Sequence, residues 1–193
     1  RPMDGEIKVN GITIRENNEK YRKSISYIPE SPVLYDELTL EEHINLTAMA
    51  YGLNMKEAWE KADVLLKLFK LSDKKKFFPV HFSKGMKQKV MIICSFLVEP
   101  NLYIIDEPFL GLDPIAINDL INLMCEKRDN GASILMSTHI LATAEKYCDN
   151  FIIIHEGKIL ASGKLSDLRK EFNMADASLD EIYLALTTRG QDE

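Results

Sequence analysis

Two adjacent acids, Asp106 and Glu107, are the residues of this chain best placed to do chemistry. They follow Leu102-Tyr103-Ile104-Ile105, an apolar run with two β-branched members, and precede Pro108, so they read as the abrupt polar end of a buried parallel strand. Open parallel sheets receive ligands beyond the carboxyl ends of their strands, which turns such a pair toward a site. One carboxylate there can hold Mg²⁺ through its water shell while its neighbour polarises an attacking water, the two tasks of nucleotide hydrolysis. The competing reading is a strand that ends in an exposed acidic turn.

Two further strands end in the same manner. Residues 24–28 lead into Pro29-Glu30, and residues 133–136 lead into Ser137-Thr138-His139. Glu30, Asp106, Glu107 and His139 are therefore expected along one edge of one sheet. His139 there is either a hydrogen-bond donor to a phosphate and an orienter of the base, or a satisfied structural histidine. The run Phe82-Ser83-Lys84-Gly85-Met86-Lys87-Gln88-Lys89 precedes an apolar helical stretch, with Ser83 as its N-cap. Free amides, a hydroxyl and lysines at a helix start make a phosphate site; a capped helix with a solvated basic first turn fits the same residues. Residues 157–165 imitate a phosphate-binding loop, but five residues separate the glycines and Leu165 replaces the metal-binding hydroxyl, so a strand and turn are expected there. No other segment fits such a loop, and no G-x-G-x-x-G occurs.

The elements that must hold these residues follow an α/β order. Strands are expected at residues 6–9 and 24–28, joined by a polar loop over 15–23. Thr39 and Glu42 form a capping box that opens a mainly helical region reaching about Val98, with Leu65, Leu66, Leu68 and Phe69 at helical spacing. After the strand at 103–105, Asp113-Pro114 caps and starts another helix. A strand at 133–136 follows, then a hairpin of residues 151–155 and 158–161 around Glu156-Gly157, then two terminal helices, the last opened by Ser178 and Glu181. About sixty helical residues between strands of one sheet make a subdomain.

Composition narrows the function classes. With 193 residues, 46% of them hydrophobic, the chain can bury a substantial core. A net charge of −6 argues against a partner bound through neutralised phosphates, so no nucleic acid is expected. Cys94, Cys125 and Cys148 lack metal or disulfide spacing and read as inert core thiols of a cytosolic protein. The longest apolar run, 90–98, is too short to span a bilayer.

In order and spacing, five of these motifs together resemble the ATP-binding subunits of ABC transporters, over essentially the whole chain. Ile105-Asp106-Glu107-Pro108 is similar to the Walker B strand and Phe82-Ser83-Lys84-Gly85-Met86 to the LSGGQ signature. Gly111-Leu112-Asp113 resembles the D-loop, His139 the switch histidine, and Glu30 stands where the Q-loop glutamine usually stands. A narrower likeness, to subunits of this family from Gram-positive bacteria, rests on FSKGMKQKV, residues 103–114 and LMSTHILATAEKYCD.

The resemblance implies a P-loop NTPase (RecA-like) fold with a mostly parallel sheet and an inserted helical subdomain. The core would occupy residues 1–37 and 95–165, the signature subdomain 38–94, and C-terminal helices 166–193. It implies ATP and Mg²⁺ as cofactors, with Asp106 and Glu30 on the metal, Glu107 and His139 catalytic, and Glu30, Ser83, Lys84, Gly85, Gln88 and Asp113 toward the nucleotide. ATP would lie between two such subunits, a homodimer, on a membrane-spanning permease. The subunit would be cytoplasmic and peripheral on the inner face of the membrane, with the permease received in a groove formed by the loop after Glu30 and the helices beyond it.

The sequence departs from the family pattern at Glu30 in place of glutamine, at Lys84 and Met86 in the signature, and at Leu110 where the D-loop often carries serine. No Walker A loop is spelled by residues 1–193. In the family its strand lies beside the one that ends at His139, so these residues alone are expected to be poorly stable, to bind ATP weakly and to be inactive. A truncated, non-catalytic module that keeps the signature half and the partner groove is the alternative. A soluble ABC ATPase acting on DNA or ribosomes fits the charge less well.

Overall fold

The computed structural model describes residues 4–188, which fall into two units that divide after Ser137. Residues 1–3 and 189–193, the ends of the expected core and of the C-terminal helices, lie outside the described residues.

The first unit opens with a small antiparallel hairpin, β1 (Lys8–Val9) and β2 (Ile12–Thr13). Its turn residues Asn10 and Gly11 have φ of 50° and 72°, the left-handed pair that a two-residue hairpin loop requires. Strand β1 is shorter than expected, and the polar stretch after it is not all loop. Helix α1 (Asn18–Lys23) forms there because Asn17 caps it, accepting from the Lys20 amide at 2.9 Å, and Glu19 pairs with Lys23 one turn on. None of its residues is buried, so no apolar periodicity marks it.

Strand β3 (Ile25–Ile28) leads to three longer helices, α2 (Leu40–Tyr51), α3 (Met55–Leu68) and α4 (Lys84–Leu97). The capping box at α2 forms as expected, and Gly52 closes the helix at φ 69°. The three helices pack pairwise and bury Leu40, Ile44, Leu66, Val90, Ile92 and Ile93 completely. Each such side chain contributes about 1.5–3 kcal/mol by leaving water.

After α4 come β4 (Leu102–Asp106), α5 (Pro114–Asp129) and β5 (Ser133–Ser137). Strands β3, β4 and β5 form a parallel sheet with β4 at its centre; Ile28 lies opposite Ile105, and Asp106 opposite Ser137. Ile28, Tyr103 and Ile105 are buried, and Phe96 of α4 stacks on Tyr103 with ring centres 4.6 Å apart. Strand β5 ends this sheet among the described residues, and Leu135 on it is 54% exposed.

The second unit holds α6 (Leu141–Tyr147), an addition to the expected elements, followed by the hairpin β6 (Phe151–His155) and β7 (Lys158–Gly163). Helices α7 (Leu165–Glu171) and α8 (Leu179–Thr188) complete it. The hairpin turns at Glu156 and Gly157, as expected, and β7 runs two residues further, through Gly163. Residues 157–165 are thus strand, turn and helix start. Phe151, Ile153, Ala161, Leu168, Leu179 and Ile182 form a core of this unit's own.

Candidate functional site

The parallel register brings the ends of β3 and β4 side by side, so Pro29-Glu30 and Asp106-Glu107 leave the sheet at one edge. Asp106 is half-buried and accepts a short hydrogen bond from the Ser137 hydroxyl, directly across the β4–β5 pairing. Ser137 was not among the expected site residues, although its place at a strand end could have marked it. Glu107 follows with φ 45°, a left-handed conformation uncommon outside glycine. Its amide donates to the Ser137 carbonyl at 3.1 Å, and its carbonyl accepts from the Leu110 amide at 3.2 Å. The strand thus stops at Asp106 and the chain turns sharply, leaving Glu107 half-buried. Glu30 is exposed.

Phe109, 4% exposed, anchors the turn that follows, and Leu112 donates to its carbonyl at 3.2 Å. Gly111 has φ 79°. Asp113 caps α5 by accepting from the Ala116 amide at 3.0 Å, and its other oxygen lies 2.8 Å from Lys89 Nζ on α4. The Lys89 hydrogen bond, reinforced by the Ala116 amide, holds the Asp113 carboxyl down at about 2.

At the start of α4, Ser83 caps the helix through the Met86 amide at 3.3 Å, and Ser83 and Lys84 are exposed. Gly85 backs onto Gly111: a Cβ placed there would lie 2.3 Å from the Gly111 carbonyl oxygen, so no side chain fits. Gln88 stands apart from its expected group, fully buried inside α4's apolar face with both amide ends lacking a protein partner. His139 lies in an exposed bend at the beginning of the second unit and is described with that unit.

A second locus sits around the start of α2. The buried His43 ring donates from Nδ1 to the Thr39 carbonyl at 2.8 Å and accepts the Tyr35 amide on Nε2 at 3.0 Å. Leu40 and Glu41 donate to the Phe77 and Lys75 carbonyls at 3.0 and 2.9 Å. These bonds gather the loop after Glu30 and the stretch before α4, leaving Val33, Tyr35, Phe77 and Phe78 exposed.

The thiols differ in degree from expectation. All three are free and only partly buried by area; burial pushes the Cys94 thiol up to about 11, against the Thr47 hydrogen bond. Among the described residues no helix is long and apolar enough to cross a membrane.

A parallel sheet whose strands end in an acid pair, with a capped helix start packed against the turn beyond them, is the arrangement of an ATP-binding transporter subunit, and the chain belongs to the ABC transporter family, whose model matches residues 1–110. It is 61% identical over 186 residues to the ABC-type transporter ATP-binding protein EcsA of Bacillus subtilis (strain 168), covering 96% of this chain and 75% of that protein. A solved structure described as the ATP binding subunit of an ABC transporter superposes with a TM-score of 0.94 at 57% identity, covering 96% of this chain and 78% of that one. The structure of cbiO1 from Clostridium perfringens, described as part of the ABC transporter complex cbiONQ, matches at 26% identity with a TM-score of 0.69, over 89% of this chain and 70% of that one.

Proposed function

We propose that this chain provides the hydrolytic carboxylates and signature helix of a subunit that hydrolyses ATP to drive a membrane permease. The observation that carries the reading is the end of β4, where Asp106 is fixed by Ser137 and Glu107 is turned out of the strand in a left-handed conformation. Such strained residues cluster at functional sites. Glu107 would act as the base toward water, and His139 as the sensor of the terminal phosphate.

The donors at this edge are oxygens: Asp106, Glu30 and the Ser137 hydroxyl. They suit Mg²⁺, which keeps several waters and takes one or two carboxylates together with substrate phosphates. Asp106 and Glu30 would hold the ion, which when bound neutralises charge on the phosphates. Ser83, Lys84 and Gly85 would meet the nucleotide of a second subunit. Gln88 is left out of those contacts because it is buried, and Asp113 because both its oxygens are engaged within the chain. Hydrolysis also requires a phosphate-binding loop, which residues 1–193 do not spell.

The permease would dock on Val33, Tyr35, Phe77 and Phe78, placing the subunit at the inner face of the membrane. The helices α2–α4, over 38–94, would be its signature subdomain, and residues 1–37 with 95–165 its nucleotide core, followed by the helices of 166–193.

The test is Glu107→Gln in the full-length subunit assembled with its permease. General bases contribute about a hundredfold or more, so turnover should fall at least that far while ATP binding persists. Unchanged hydrolysis would remove Glu107 as the base.

A further inference from the structure

Two contacts fasten the start of α4 to the turn beyond Glu107. One is the approach of Gly85 to the Gly111 carbonyl, closer than any side chain would permit. The other is the Lys89–Asp113 ion pair, 2.8 Å long, with the Lys89 side chain only 14% exposed. Asp113 is itself fixed to α5 by its cap, and Leu110 ties the turn back to the Glu107 carbonyl. The turn 107–113 is therefore held against α4 at Gly111 and at Asp113, the second hold being a side-chain ion pair.

We infer that Lys89 is a positioning residue for hydrolysis: by holding Asp113 against α4 it fixes the turn 107–113 and with it the carboxylate of Glu107. The inference rests on the proposal that Glu107 is the base. Lys89 touches no substrate in this scheme; it acts only through Asp113 and the turn. The pair also joins, inside one subunit, the helix start proposed to face a nucleotide and the acids proposed to act on one. An isolated surface pair is worth little, but this one is mostly shielded on the lysine side and bonded at both carboxylate oxygens. Displacing a reacting group by an ångström is costly in rate without being costly in affinity.

Steady-state ATP hydrolysis by the full-length subunit in its assembled transporter tests this. Lys89→Met should lower kcat about tenfold and leave KM for ATP within about twofold, because the lost interaction bears on geometry in the transition state. Lys89→Arg, which keeps the charge and the reach, should recover most of that loss. Asp113→Asn keeps an oxygen to cap α5 and should reproduce the Lys89→Met defect; the double variant should be no worse than either single one. A wild-type kcat in Lys89→Met, a loss confined to KM, an additive double variant, or failure of arginine to rescue would each overturn the role of Lys89. If Glu107→Gln is inactive while Lys89→Met is normal, only the positioning role fails. If Glu107→Gln still hydrolyses ATP, the reading beneath it fails as well.

Discussion

At the scale of single residues, Asp113 shows how much a side chain's duty depends on its neighbours. The D-loop resemblance points it at the nucleotide, yet Lys89 and the Ala116 amide take both its oxygens. A carboxyl held at about 2, below its ordinary 3.8, contributes stability that is complete above the ordinary value and lost as pH falls through about 2. The stability gap between wild type and Asp113→Asn, followed by urea unfolding, should therefore stay constant above about pH 5 and close toward about pH 2. A gap that persists undiminished at pH 2 would contradict the ion pair. Asp113 as an N-cap was legible from Asp-Pro alone, since proline fits the first helical position. Its pairing with Lys89 was not, because 24 residues separate the two and nothing local registers a long-range pair. The burial of Gln88 is hidden for a related reason: grouping it with its signature neighbours does not register that successive helical residues face different ways, and Gln88 falls on the side of Ile92.

At the scale of elements, the segments with strong local chemistry were the readable ones. Thr39 with Glu42, and Ser178 with Glu181, each announce a helix start, and both boxes form. Helix α1 escaped because it is polar all round, and α6 because its cap, Ile140, makes no side-chain bond. Strand β4 was legible as buried from its apolar run, but the sequence does not show that the Tyr103 hydroxyl ends inside without a protein partner. Burial, with Glu99 and Glu126 nearby, pushes that phenol's pKa upward. An unpaired buried hydroxyl is costly, so Tyr103→Phe, which keeps the stacking on Phe96, should stabilise the chain by about 1 kcal/mol. The denaturation midpoint reads this directly; a lower midpoint would mean that the hydroxyl is satisfied by water.

At the scale of the whole molecule, the chain is two units with separate cores, one built on the sheet β3-β4-β5 and α2–α5, the other on β6-β7 and its helices. The α/β class follows from alternating apolar strands and periodic helices, and was readable. The division after Ser137 was not, because no proline or glycine marks it and the short polar run Ser137-Thr138-His139 reads as a strand end rather than a linker.

Strand β5 carries Ser133-Ile134-Leu135-Met136-Ser137, with no charge, proline or bulge along it, and it lies at the end of its sheet among the described residues. Natural edge strands are usually blunted by such features, because a bare row of amides and carbonyls is a template for another chain. Pairing of β5 with a second copy is therefore expected to depend on concentration when residues 1–193 are handled as an isolated polypeptide. Light scattering should rise with protein concentration at room temperature, and Leu135→Lys, which puts a charge on that 54% exposed position, should suppress the rise without altering the helical signal.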